Sequence, residues 1–289
     1  MKLVCLIITI LLFSSIIHSQ TRDTIYLWPG KVPGEVGEKH SPIQTDNTTR
    51  NVIRLTDVTN PALIVFEPEI QNNSDIGIII CPGGGYDILA IDIEGYEIAE
   101  WFNKLGYTAF VLQYRVPKNQ DGALNDIQRA IRIVRNKSEN YRINPEKIGI
   151  IGFSAGGNLC AQASSRFTED SYPIVDDTDT LSCRPNFTML IYPAYLDNGE
   201  KHSISPELSI TKKTPPFFIF GTADDSYGNS ALVMTTALRN KKIPVELHFL
   251  QEGGHGYGMR SGNIAAETWP YLAKNWLDRM VNTKGESDN

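Results

Sequence analysis

Residues 147–160 read KIGIIGFSAGGNLC, and their reading decides the fold. Ile148, Ile150 and Ile151 make a short apolar run of the kind a buried strand carries. Gly152 and Gly156 flank Ser154 at minus two and plus two, and the small residues that follow suit a helix. Strand, G-x-S-x-G and helix in that order describe a sharp bend in which small neighbours let a strained backbone lift a serine hydroxyl clear of a sheet. The competing reading is a glycine-rich turn that caps a helix and does no chemistry, in a sequence with 23 glycines. The surrounding residues have to decide.

On both sides of this unit, strands and helices alternate. DIGIIICPGGGY carries a continuous apolar run from Ile76 to Ile80 bounded by turn residues, which predicts a strand buried on both faces. A helix is predicted over 95–106, with Ile98, Trp101, Phe102 and Leu105 on one face and Gly106 as its stop. YTAFVLQY (107–114) reads as a buried strand, and Leu124, Ile127, Ala130, Ile131 and Val134 mark a second helix. FTMLIYP (187–193), PFFIFG (216–221) and PVELHFL (244–250) are three more strands, interleaved with helices around 229–240 and 267–281. The pattern implies an α/β fold: a mainly parallel central sheet with helices on both faces. Upstream, the alternating runs 51–58 and 62–70 suit a hairpin at a sheet edge. The Pro- and Gly-rich segment 21–44 shows no periodicity, its Tyr26 and Trp28 included. With no dividing linker, residues 20–289 are expected to form one domain with an irregular N-terminal arm over 20–50.

At 289 residues and 41% hydrophobic content the chain can bury a large core. Its first nineteen residues, MKLVCLIITILLFSSIIHS, have the shape of a secretory signal peptide, with cleavage expected near Ser19 or Gln20. The largely apolar run, Leu3 to Phe13, is shorter than the roughly 20 residues of a membrane span. The expected location is therefore secreted or periplasmic, without stable membrane insertion of the mature chain, and Cys5 lies inside the apolar stretch, unlike a lipoprotein anchor. Beyond that segment, Cys81, Cys160 and Cys183 are an odd number, which argues against a disulfide framework. No Cys or His cluster has metal-ligand spacing, so neither a metal nor another cofactor is expected. The formal charge is 27 minus 33, or −6, with basic residues scattered, which speaks against nucleic acid as a partner.

A serine hydroxyl is a poor nucleophile without a base. Of the five histidines, His18 falls in the leader, His40 in the arm, His202 in a polar loop and His248 inside a strand. His255, in the glycine-rich loop QEGGHGYGMR directly after PVELHFL, stands where ligands meet an open α/β sheet. An acid should orient its imidazole. Asp224 and Asp225 follow PFFIFG, one expected to bond His255 and the other to cap the helix opening near Asn229, while Asp197 is a weaker substitute. Backbone donors for a tetrahedral oxyanion are expected from Gly84 and Gly85 of CPGGGY together with the amide of Ala155. That glycine run matches neither G-x-G-x-x-G nor the P-loop with its lysine. Tyr86, Tyr227 and Tyr257 sit beside these loops as candidate platforms for sugar rings, against the plainer reading of buried aromatics with one wet edge.

LWPGKVPGE, IIICPGGGYDILA, FVLQYRVP, the run from NDIQRAIRIVRN to GFSAGGNLCA, TPPFFIFGTADDSY and ELHFLQEGGHGYG together resemble α/β-hydrolase esterases. The likeness is to the acetyl-xylan and feruloyl esterase kind, close to the hormone-sensitive-lipase-like branch, and spans nearly the whole mature chain. It implies an α/β-hydrolase fold, Ser154 as nucleophile, Asp224 as acid and His255 as base. It also implies an O-acetylated or feruloylated plant-type polysaccharide as substrate. Lipase-like relatives carry His before the glycines where this chain has Pro82. That departure leaves the backbone donors intact and weakens the implication of a lid and a lipid substrate. The alternatives are a serine exopeptidase of the prolyl-oligopeptidase-like type, whose large extra domain this chain has no room for, and a non-catalytic binding protein on the same fold. Oligomeric state is not encoded in any of these features.

Overall fold

The computed structural model describes residues 22–282, so the expected signal peptide lies outside the described residues. Eleven strands and five α-helices are assigned among them. The main sheet is built from β1 (Thr24–Tyr26), β4 (Ala62–Phe66), β5 (Gly77–Cys81), β7 (Thr108–Gln113), β8 (Ile148–Phe153), β9 (Phe187–Ile191), β10 (Phe217–Thr222) and β11 (Val245–Leu250). Their order is β1-β4-β7-β5-β8-β9-β10-β11. The pairs β1·β4 and β4·β7 are antiparallel, and the rest of the sheet is parallel. A second, three-stranded antiparallel sheet joins β2 (Ile43–Gln44), β3 (Arg54–Thr56) and β6 (Leu89–Ala90).

The central strands are apolar on both faces because both faces are covered. In β5, Ile79 joins one core while Ile78 and Ile80 join the other. Phe110 and Leu112 of β7 and Ile150 of β8 side with Ile79, and Val111 and Ile151 side with Ile78 and Ile80, the two-residue period of a strand. Helices α2 (Gln120–Asn136), α3 (Ala155–Ser165) and α4 (Asn229–Asn240) cover the first face. The opposite face is covered by α1 (Glu97–Lys104) and α5 (Ile264–Asn282). Each fully buried Ile or Phe contributes about 1.5–3 kcal/mol. No helix of the described residues is long and apolar enough to cross a membrane.

Three expectations need correction. The runs 51–58 and 62–70 do not form a hairpin: β3 pairs with β2 and β6 in the small sheet, while β4 enters the main sheet between β1 and β7. The arm is not merely irregular, because β1 adds to the edge of the main sheet and Trp28 is buried, its Nε1 donating to Asp126 Oδ1 at 2.8 Å. Arg115 and Arg129, also buried, hold the arm by donating to the carbonyls of Pro33 and Leu27. The helix predicted over 95–106 begins later, at Glu97, after a π-helical turn over Asp92–Tyr96.

Candidate active site

Every chemistry-bearing loop leaves the carboxyl end of a parallel strand: PGGGY follows β5, Ser154 follows β8, Asp225 follows β10 and His255 follows β11. Strand order therefore brings together residues as far apart in sequence as Ser154 and His255, 101 positions, and the glycine loop lies further still from His255. Ser154 has φ +52° and ψ −118°, a left-handed backbone that a residue with a Cβ adopts only when its surroundings enforce it. The flanking glycines allow that enforcement. A Cβ on Gly152 would stand 2.1 Å from the carbonyl oxygen of Gly156, and one on Gly156 would stand 2.1 Å from that of Cys81. Both contacts are with backbone, which has nowhere to retreat.

Ser154 Oγ and His255 Nε2 are 2.7 Å apart, and His255 Nδ1 is 2.7 Å from Asp225 Oδ2. The Asp225 carboxylate is 1% exposed, and its second oxygen accepts the Tyr227 amide at 2.9 Å. His255, 27% exposed, lies between the rings of Tyr192 and Tyr227, with centroids 5.1 and 4.9 Å away. The acid in contact with the imidazole is thus Asp225, which corrects the assignment to Asp224. Asp224 points instead into the histidine loop, where Oδ1 accepts the Gly254 amide at 2.9 Å and Oδ2 the Gly253 amide at 3.1 Å. These amides and the Thr222 hydroxyl hold its carboxyl below the usual aspartate value. Nor does either aspartate cap α4, whose start has no side-chain cap; Asp197 instead accepts from the side chains of two first-turn residues, Asn229 Nδ2 and Ser230 Oγ. His248 stays in its strand, bonded to Glu246.

The PGGG loop lies against the serine. A Cβ on Gly83 would come within 2.8 Å of Ser154 Cβ. Among the described residues, the amides of Gly84 and Gly85 donate to no protein acceptor. Ala155 is the first residue of α3, where a helix leaves its N–H without an intrahelical partner and concentrates positive potential. Tyr114 and Tyr86 brace the loop by donating to the Pro82 carbonyl (2.6 Å) and to Asn158 Oδ1 (2.8 Å). Tyr86 is consequently buried at 2% exposure and offers no sugar platform. Tyr257 is likewise buried, packed edge-on against Tyr192 at 4.4 Å. Of the three tyrosines only Tyr227 keeps a partly open face at the site.

One residue escaped the sequence reading. Glu94, 4% exposed, accepts the Gly83 amide on Oε2 (2.7 Å) and the Tyr192 hydroxyl on Oε1 (2.9 Å). Tyr192 in turn accepts the Gly258 amide at 3.0 Å, so one buried carboxylate ties the glycine loop to the histidine loop. Burial pushes the Glu94 carboxyl up, against the opposing pull of Tyr192, Gly83 and His255. The available signal was a carboxylate set among apolar residues in ILAIDIEGY, just beyond the glycines. Cys81, Cys160 and Cys183 are buried thiols. Among the described residues no group of three or more His, Cys, Asp or Glu side chains is placed to hold a metal ion.

Sheet, elbow and loops define an α/β-hydrolase fold, and the chain is similar to known ester hydrolases of that fold. It is related to the BD-FAE family, which matches residues 63–180, and to acetylxylan esterases. An acetylxylan esterase of Xylanibacter ruminicola is 30% identical over 242 residues, covering 75% of this chain and 48% of its own length. Endo-1,4-beta-xylanase B of Butyrivibrio fibrisolvens is 31% identical over 207 residues, covering 62% of this chain and 32% of its own. The chain thus spans about half of the first relative and a third of the second. Among solved structures, an acetyl ester-xyloside bifunctional hydrolase from Caldicellulosiruptor lactoaceticus superposes with a TM-score of 0.73 at 29% identity, covering 89% of this chain and 96% of that one.

Proposed function

We propose that this protein is a secreted or periplasmic serine esterase that removes acyl groups, O-acetyl above all, from a plant- or algal-type poly- or oligosaccharide. The observation that carries the reading is the chain of two 2.7 Å contacts from Ser154 Oγ through the His255 imidazole to the buried Asp225 carboxylate. In this arrangement neutral His255 takes the Ser154 proton through Nε2 as Oγ attacks the ester carbonyl. Asp225 keeps Nδ1 protonated and stabilises the imidazolium that forms. The amides of Gly84, Gly85 and Ala155 receive the tetrahedral oxyanion, and removing one donor from such a hole typically costs about 10²–10³ in kcat. His255 then returns the proton to the departing sugar oxygen, and water repeats the sequence on the acyl-enzyme. The acetylated-xylan relatives support a carbohydrate ester as substrate. The apolar run near the N-terminus supports export.

The test is turnover of p-nitrophenyl acetate by the native protein and by Ser154→Ala, with loss of turnover expected in the variant. Equal rates would sink the proposal. A panel of acetylated glycans set against dipeptide amides then decides between esterase and exopeptidase, and cell fractionation decides the location.

A further inference from the structure

A polar cleft of about 320 Å³ opens beside the candidate oxyanion loop, between Gly85, the start of α2, α3 and the segment after β9. Its walls carry Gln120, Asn158, Gln162, Tyr195, Asn198 and Glu207. The Tyr195 hydroxyl lies 3.7 Å from where a Cβ on Gly85 would stand. The Tyr195 ring packs on Tyr227 at 5.3 Å, and Tyr227 packs on His255 at 4.9 Å, so one ring stands between the cleft wall and the imidazole. Asn158 is a fixed floor: its Oδ1 accepts from Tyr86 and Gln162, and its Nδ2 donates to the Tyr195 carbonyl. Gln162 is anchored likewise between Asn158 and Arg166. Glu207 and Gln120, both exposed, make no side-chain hydrogen bond or ion pair among the described residues, and Asn198 Oδ1 accepts none. Fixed amides below and unspent acceptors above therefore surround one aromatic ring.

An aliphatic acyl chain has no apolar wall to meet here, and burying these amides and the carboxylate against it would leave them unpaired. A ring bearing several hydroxyls on an apolar carbon frame fits both needs: its hydroxyls pair with Glu207, Gln120 and Asn198 while its C–H face lies on Tyr195. At about 30 Å³ per water the volume equals about ten waters, ample for one pyranose. Resting on the esterase reading, we infer that this cleft is the subsite for the sugar that carries the ester, with Glu207 as its principal acceptor of sugar hydroxyls. The cleft thereby holds the alcohol side of the bond rather than the acyl side.

The experiment compares native protein with Glu207→Ala and Gln120→Ala, both exposed positions whose substitution leaves folding intact. Partially acetylated xylotriose is set against p-nitrophenyl acetate, which lacks a sugar. For each variant the ratio of kcat/KM, oligosaccharide over aryl ester, is expected to fall about tenfold, chiefly through KM. A ratio within twofold of native for both variants overturns the inference. Binding of deacetylated xylotriose to Ser154→Ala, followed by calorimetry at millimolar ligand, separates this from the esterase reading. Binding that weakens at least tenfold on adding Glu207→Ala supports the subsite even for a protein that hydrolyses neither ester. Absence of binding, or binding indifferent to Glu207, overturns the subsite even where both esters are cleaved.

Discussion

Asp225→Asn and Asp224→Asn are the most informative pair of substitutions, because adjacent and chemically identical side chains have been given different work. Asp225 is 1% exposed and holds His255 Nδ1 at 2.7 Å. An asparagine held there by the Tyr227 amide turns its NH₂ toward the imidazole. Nδ1 must then be the bare nitrogen and Nε2 the protonated one, so the ring can no longer accept the Ser154 proton. In serine hydrolases this wrong tautomer lowers kcat by about four orders of magnitude, about 5.5 kcal/mol at 1.36 kcal/mol per tenfold. Asp224→Asn keeps one acceptor for Gly253 or Gly254 and loses the other, on an exposed side chain that does not touch the imidazole. Its rate is expected to fall by no more than about fivefold. The assay is kcat/KM on p-nitrophenyl acetate, normalised by titrating Ser154 with a fluorophosphonate where it still reacts and by folded protein where it does not. Equal losses in the two variants, or an Asp225→Asn loss under tenfold, refute the assignment of Asp225 as the orienting acid.

Glu94→Ala leaves the Gly83 amide and the Tyr192 hydroxyl without their acceptor in a buried setting, at about 1–3 kcal/mol each. Both a lower melting temperature and a fall in kcat of at least about tenfold are expected, with partial recovery in Glu94→Gln, and unchanged kcat in a folded Glu94→Ala protein counts against the bracing role. Asp176 is drawn down to about 2 chiefly by its hydrogen bonds from Arg129, with Thr178 assisting. A folded-state value below the unfolded one, about 3.9, means its contribution is present above pH 4 and is lost as pH falls toward 2. Thermal denaturation between pH 4.5 and 2 should therefore show a slope that Asp176→Asn reduces, and identical slopes would contradict the coupling.

The parallel half of the main sheet was legible from sequence because a strand covered on both faces must be apolar at successive positions, as Ile78, Ile79 and Ile80 are. Ser154 and His255 were legible because each sits in a glycine setting directly after such a strand. The antiparallel edge was not legible. Whether β3 pairs with β4 or with β6 depends on partners 34 and 36 residues further along, and the Asn60-Pro61 turn signal is consistent with either. Trp28 gave no local sign of burial because its partner, Asp126, is 98 residues away. The choice between Asp224 and Asp225 was closed to sequence reading, since neighbouring residues in a turn point in different directions that only the backbone fixes. Tyr86 and Tyr257 look the same in sequence as Tyr227, and only packing against Asn158 and Tyr192 removes them from the surface.

The Glu94 bridge has a consequence for how such a protein can diversify. Through Gly83, Tyr192 and Gly258 it locks the two reacting loops to each other and to nothing in the polar cleft. The bridge itself is thus separate from the cleft, which meets the glycine loop at Gly85 and through the Tyr86–Asn158 bond. Gln120, Asn198 and Glu207 take no part in that bridge, which makes the loop that bears Glu207 the place to begin engineering the proposed sugar subsite.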